Sequence, residues 1–226
     1  MKLTWYGHAS FGITSQAGVH IVTDPYDPAT SGYKPFSTPA DLVVISSDTD
    51  DFHCNHQLVP KTADATVINA LTLARNGGVT TVKGVTVRAT EAQEATSHRD
   101  YNPDANGMYR LELDGLHLGH MGDMGNALND QQLAFFEGVD ILLALVGGYP
   151  TIALDDLKVA LDAIRPRITI PMHFRTLRYK PRNSLWIQAF LDYFPEDQVD
   201  FACDASVTLS KQDLPNEPRV LVLTYM

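Results

Sequence analysis

Imidazole and carboxylate side chains crowd the stretch Gly115–Gly125, G-L-H-L-G-H-M-G-D-M-G, where His117, His120 and Asp123 sit among glycines at the end of an apolar run. Glycine lets the backbone take positive φ and lets other groups approach a carboxylate closely, as a metal ion or a substrate requires. Elsewhere His8, Asp24, Asp51, His53, His98 and His173 also fall where apolar runs stop. Histidine and aspartate together form the ligand set of zinc, manganese or iron(II), and delivery from separate loops is how a rigid sheet builds a preformed site. Each residue also has a plainer reading. Asp123 could cap a helix starting near Leu128, His8 could bond within its own turn, His20 alternates outward on a strand, and His117 faces solvent on a hairpin.

The elements that must position these groups follow from hydrophobic periodicity and turn signals. Leu3–Tyr6, Phe11–Thr14 and Val19–Thr23 read as an antiparallel meander, and Leu42–Ser46 as a buried strand. That strand feeds Ser46–His56, S-S-D-T-D-D-F-H-C-N-H, which puts acids and histidines beyond its carboxyl end, where open α/β sheets place ligands. Val67–Leu73 reads as a strand entering a short helix, and Val79–Val82 and Val85–Ala89 flank a Lys83-Gly84 turn. Met108–Leu113 and Leu116–Leu118 form a hairpin around Asp114-Gly115. Beyond it lie a helix at Asn129–Glu137, a strand at Asp140–Leu145, a helix at Leu154–Ile164 ended by Pro166, and a strand at Ile168–Ile170. A helix at Ser184–Tyr193 and strands at Val207–Leu209 and Val220–Thr224 complete the chain.

Composition narrows the function. The 226 residues, 44% hydrophobic, suit one domain spanning 1–226 with a full core. Apolar runs fall short of the roughly 20 residues of a membrane span, and the chain enters a strand pattern at once, so the expectation is a cytoplasmic protein without a membrane partner. Cys54 and Cys203 make no zinc or redox spacing. A net charge of −10 disfavours nucleic acid as a partner. A small-molecule substrate is expected instead, with a homo-oligomer left open. Arg175, Arg178, Lys180 and Arg182 follow Pro171-Met172-His173 closely enough to hold an anionic group, or simply decorate a solvated loop.

Five blocks in order resemble the metallo-β-lactamase superfamily, most closely its UlaG-like branch of metal-dependent hydrolases. They are Trp5–Phe11 (W-Y-G-H-A-S-F), Thr23–Tyr26 (T-D-P-Y), Ala40–Ser47 (A-D-L-V-V-I-S-S), Gly119–Gly125 and Pro171–Phe174 (P-M-H-F). The resemblance implies an α/β fold, a four-layer αβ/βα sandwich with the site at one edge between the sheets. It also implies two metal positions. One would use two histidines of a T-H-x-H-x-D-H block with residues matching His98 and Asp123, the other Asp51, the block's third histidine, Asp123 and His173.

The block itself departs from that pattern. Ser47 and Thr49 stand in place of the first two histidines and Phe52 in place of the third, with His53 one residue late. The first position thus keeps only His98 and Asp123, below the three protein ligands usual for zinc. The second keeps Asp51, Asp123 and His173, with His53 or His120 as a fourth, and the expectation is one divalent ion, zinc or manganese. Two functions remain open. The first is hydrolysis of a small anionic ester, lactone or phosphoester, with Asp51 or Asp123 orienting the hydroxide, His98 or His120 as acid, and Arg175 and Arg178 on the anion. The other is a non-catalytic protein that binds a ligand or partner through the old cleft.

Overall fold

Fourteen strands make two mixed sheets in the computed structural model, which describes residues 1–48, 52–94 and 105–226. The first five are β1 (Lys2–Gly7), β2 (Ser10–Thr14), β3 (His20–Thr23), β4 (Ala40–Ile45) and β5 (Lys61–Asn69). Next come β6 (Val79–Val82), β7 (Val85–Gln93), β8 (Ala105–Leu113), β9 (Leu116–His120), β10 (Ile141–Leu145) and β11 (Ile168–Met172). The last are β12 (Val199–Phe201), β13 (Ser206–Thr208) and β14 (Arg219–Val222). The sheets run β13-β1-β2-β3-β4-β5 and β12-β14-β11-β10-β9-β8-β7-β6.

Each sheet begins as an antiparallel meander and continues as a parallel run. β1, β2 and β3 are antiparallel, then β3, β4 and β5 parallel; β6 to β9 are antiparallel, then β9, β10, β11 and β14 parallel. This arrangement gathers the carboxyl ends of β4, β9 and β11, the positions where parallel sheets bind ligands. Side chains of both sheets share one core: Trp5, Phe11 and Leu42 from the first meet Val87, Leu118 and Leu143 from the second. β10 and β11 are buried along their whole length, as strands covered on both faces must be. The helix Leu154–Ile164 adds Leu157, Leu161 and Ile164 from one face. The α/β sandwich expected of the resemblance is the fold observed. Among the described residues no helix is long and apolar enough to cross a membrane.

The hairpin expected at Asp114-Gly115 forms as written. Leu113 pairs with Leu116, and both turn residues have positive φ, 53° and 74°, the geometry of a two-residue turn that follows strand twist. The helix expected at Ser184–Tyr193 shrinks to Gln188–Leu191. Its start is drawn into extended backbone, because the Leu185 N–H donates to the Gly147 carbonyl and the Leu185 carbonyl accepts from the Arg175 N–H. β12 is a three-residue strand without enough alternation to signal itself, and β5 starts at Lys61 along a polar sheet edge.

The helix near Leu128 runs Asp130–Phe135, and Asn129 is its cap in a reciprocal capping box with Gln132. Asp123 therefore does not cap it. Replacing Asn129 with Ala should cost about 1 kcal/mol of stability in denaturant unfolding, equally with metal and with chelator. A loss seen only in the presence of metal would contradict that assignment.

Candidate metal centre

Five segments meet at one end of the sheets: the β1–β2 turn with His8, the residue after β3, Asp24, the loop beyond β4 with His53, the loop beyond β9 with Asp123, and the residue after β11, His173. Local backbone explains how each side chain is aimed. Gly7 has φ 127°, and a Cβ there would lie 2.5 Å from the Tyr33 ring, so only glycine admits the close turn that presents His8. His8, Asp24 and His173 themselves adopt φ of 53°, 35° and 62°. Left-handed conformations of such residues cost on the order of 1 kcal/mol each and cluster where a site over-determines them. The His8 carbonyl accepts from the Trp5 indole N–H (2.9 Å) and from the His173 N–H (3.0 Å), which ties the first turn to the last site residue. Asp123 is placed by its neighbours too: its N–H donates to Asn106 Oδ1, and Gly122, at φ 63°, leaves room for the Asn106 amide.

The resulting cluster is compact and buried. One ring nitrogen from each of His8, His53 and His173 lies within 4.8 Å of the others. Asp123 Oδ1 stands 3.4 Å from His173 Nε2 and 3.6 Å from His53 Nε2. Ligand atoms about 2.1 Å from a tetrahedral zinc ion lie about 3.4 Å apart, so these two separations suit one ion. The four residues are between 1% and 6% exposed. His8 Nδ1 is buried with no hydrogen-bond partner among the described residues, an acceptor position that a cation would satisfy. Three imidazoles, with a carboxylate beside two of them, are a fitting donor set for a divalent transition metal.

A second ring of contacts orients the first. Asp24 Oδ2 accepts from His53 Nδ1 at 3.0 Å, which leaves Nε2 directed at Asp123, the carboxylate–histidine pairing common behind metal ligands. Asp24 Oδ1 accepts from the Ser46 N–H (2.9 Å) and the Tyr109 hydroxyl (3.0 Å). Burial alone would raise the Asp24 carboxyl, but the nearby His120 and hydrogen bonds from His53 and Ser46 hold it below the ordinary value. Burial, then the neighbouring His173 and His53, pushes His8 well below the usual imidazole value, so its ring is neutral and fit to coordinate. Tyr109 is raised by burial and by Asp24, and stays a donor.

The residues singled out from sequence fare differently. His53, Asp123 and His173 come together, and the one-residue shift that separates His53 from the motif position does not aim it away. His8 is a correction: read as a turn residue, it belongs to the cluster because positive φ at Gly7 and His8 turns the ring inward. His120 is another. Its Nδ1 accepts from the Gly122 N–H and its Nε2 donates to the Ala9 carbonyl, both at 2.9 Å, and it stacks on Tyr109 in the core, so neither nitrogen serves as ligand or acid. Asp51 and His98 lie outside the described residues. The Arg175 guanidinium lies 4.8 Å from the centre of the Trp186 ring, and Arg178 is exposed; neither pairs with a carboxylate among the described residues. Sequence reasoning missed the partners Tyr109 and Tyr179, whose roles depend on contacts 85 and 171 residues away in the chain.

Comparison with known proteins matches this chain to a family. The family model described as beta-lactamase superfamily domain covers residues 2–173. A metal-dependent hydrolase of family UPF0173 from Thermoplasma acidophilum is 27% identical over 192 residues, 78% of this chain and 84% of that protein. A UPF0173 protein from Pyrococcus abyssi is 30% identical over 183 residues, with 78% and 84% covered. Among solved structures, a proposed zinc-dependent hydrolase of the metallo-β-lactamase superfamily from Thermotoga maritima gives a TM-score of 0.77 at 30% identity, over 100% of this chain and 99% of its own. With a family model running from the first strand to His173 and a homologous structure of the same length, the chain belongs to the metallo-β-lactamase superfamily.

Proposed function

We propose that the protein is a metal-dependent hydrolase with a single divalent ion, zinc or manganese, acting on a small anionic ester, lactone or phosphoester. The observation that carries this reading is the buried cluster of His8, His53 and His173, whose ring nitrogens converge, with Asp123 Oδ1 beside those of His53 and His173. When bound, such an ion supplies Lewis-acid polarisation of the scissile oxygen and lowers the pKa of a coordinated water towards about 7. The chain's own residues do the rest. His8, His53, His173 and Asp123 hold the ion, Asp24 fixes the His53 ring, and Phe52 and Tyr179 lie against His8 and limit water around it. Asp51 adds a ligand, as the resemblance implies, or orients the attacking water, and His98 is the remaining imidazole to give the leaving group its proton. The metal-dependent hydrolase activity in the name of the Thermoplasma relative points the same way.

Metal titration tests the reading. Protein stripped with chelator should take up one equivalent of zinc per chain, and denaturant unfolding should show a gain of about 2.7 kcal/mol at zinc a hundredfold above Kd. Asp123→Ala and His53→Ala should lose that gain. Two tightly bound equivalents would mean that a second position exists despite Ser47 and Thr49. No binding of zinc or manganese would remove the hydrolase reading in favour of a non-catalytic protein that uses the cleft for a ligand or partner.

Substrate charge gives a separate test. Arg175 and Arg178 follow His173 within five residues, and the proposal gives them the anionic end of the substrate. Arg175→Ala with Arg178→Ala should raise KM for a phosphate- or carboxylate-bearing ester about tenfold and leave its neutral analogue nearly unchanged. Equal changes for both substrates would remove the anchoring role.

A further inference from the structure

The two nitrogens of the His8 ring have unlike surroundings. Nε2 lies 3.3 Å from the Tyr179 hydroxyl, while Nδ1 is buried with no hydrogen-bond partner among the described residues. A neutral imidazole carries one proton, and two arrangements compete. If the tyrosine donates to Nε2, the proton sits on Nδ1, a buried N–H with no acceptor among the described residues. If Nε2–H donates to the tyrosine oxygen, Nδ1 offers a lone pair in a cluster where the His173 and His53 ring centres lie 3.8 Å and 5.0 Å away. An unmet buried donor is costly, and an unmet lone pair inside a metal-ligand cluster is what a cation satisfies.

The tyrosine is fixed well enough to make this choice. Its N–H donates to Thr176 Oγ1, Thr176 Oγ1 bonds the Tyr33 hydroxyl at 2.9 Å, and the Tyr33 ring is the one packed against Gly7. One aromatic block therefore sets both the turn that carries His8 and the hydroxyl that meets its ring.

We propose that Tyr179 is a positioning residue whose hydroxyl oxygen accepts the Nε2–H of His8, so that His8 offers Nδ1 as its metal-ligand atom, in mirror image of His53, which offers Nε2 because Asp24 holds Nδ1. The proposal rests on the metal-site reading above, and it makes a statement about the metal-free protein as well. Neither the motif blocks nor the family match assigns Tyr179 or His8 this role.

The tautomer can be read directly. In chelator-treated protein with nitrogen-15-labelled histidine, long-range proton–nitrogen correlation should show His8 protonated at Nε2. Tyr179→Phe should give a mixture of tautomers and bind zinc about tenfold or more weakly, still at one equivalent. Wild-type His8 protonated at Nδ1 would overturn the proposal whatever zinc does, as would a Tyr179→Phe variant with unchanged tautomer and unchanged zinc affinity. The wild-type spectrum decides the tautomer even if the variant fails to fold. Wild-type protein that shows the Nε2–H form and binds no zinc would instead overturn the metal reading, leaving the hold of Tyr179 on the ring in place.

Discussion

One buried carboxylate ties the two sheets and the candidate site together. Asp24, fully buried after β3, accepts from the Ser46 N–H beyond β4, from the Tyr109 hydroxyl on β8 of the other sheet, and from His53 in the site itself. An isolated charge in such a place would cost several kcal/mol, and three donors, two of them on other strands or sheets, are the condition for keeping it there. The dependence runs both ways. Without Asp24 the His53 ring loses the bond that selects Nε2, and Tyr109 and Ser46 are left as buried donors without an acceptor.

Around that carboxylate the backbone carries strain where the side chains do chemistry. Asp24, His8 and His173 all sit at positive φ, and the His8 carbonyl is shared by the Trp5 indole and the His173 amide. Turns such as Asp114-Gly115 use positive φ to reverse a hairpin, but these three are buried, with His8 against His173 and Asp24 behind His53. A core of both sheets, with Trp5 packed against Phe11 and Phe174, supplies the packing that holds the strained segments in place.

Most of the fold was legible because its signals are local. The Asp114-Gly115 turn, the Leu154–Ile164 periodicity and the Gly147-Gly148 break all act over a few residues, and each element formed where they pointed. The helix at Ser184–Tyr193 failed because its first turn is recruited by Gly147 and Arg175, a tertiary contact with no local trace. The site was half legible for the same reason. Asp123 and His173 stand at strand ends that periodicity locates, whereas His8 looked like a turn residue until Tyr179, 171 positions away, and Tyr33 closed around it. His120 erred in the opposite direction: a histidine beside glycines reads as chemistry, and only the Ala9 carbonyl and the Gly122 amide, one of them 111 positions away, show a ring built into the core.

Two neighbouring residues beyond β4 act on the site in different ways. The histidine at position 53 brings imidazole to Asp24 and Asp123, and Phe52 beside it turns an aromatic ring to His8. Phe52 does not sit idle there. Its ring stacks on His8 at 5.3 Å and 29°, and meets Tyr179 at 6.1 Å, so the residue that cannot bind metal packs against one that can. A histidine at position 52 would put a further imidazole against His8, whose protonation burial, His173 and His53 already push down, while removing its apolar cover. His53 inward and Phe52 over His8 are thus complementary placements, one supplying a donor and the other covering the first turn of the chain, where the donor set gathers.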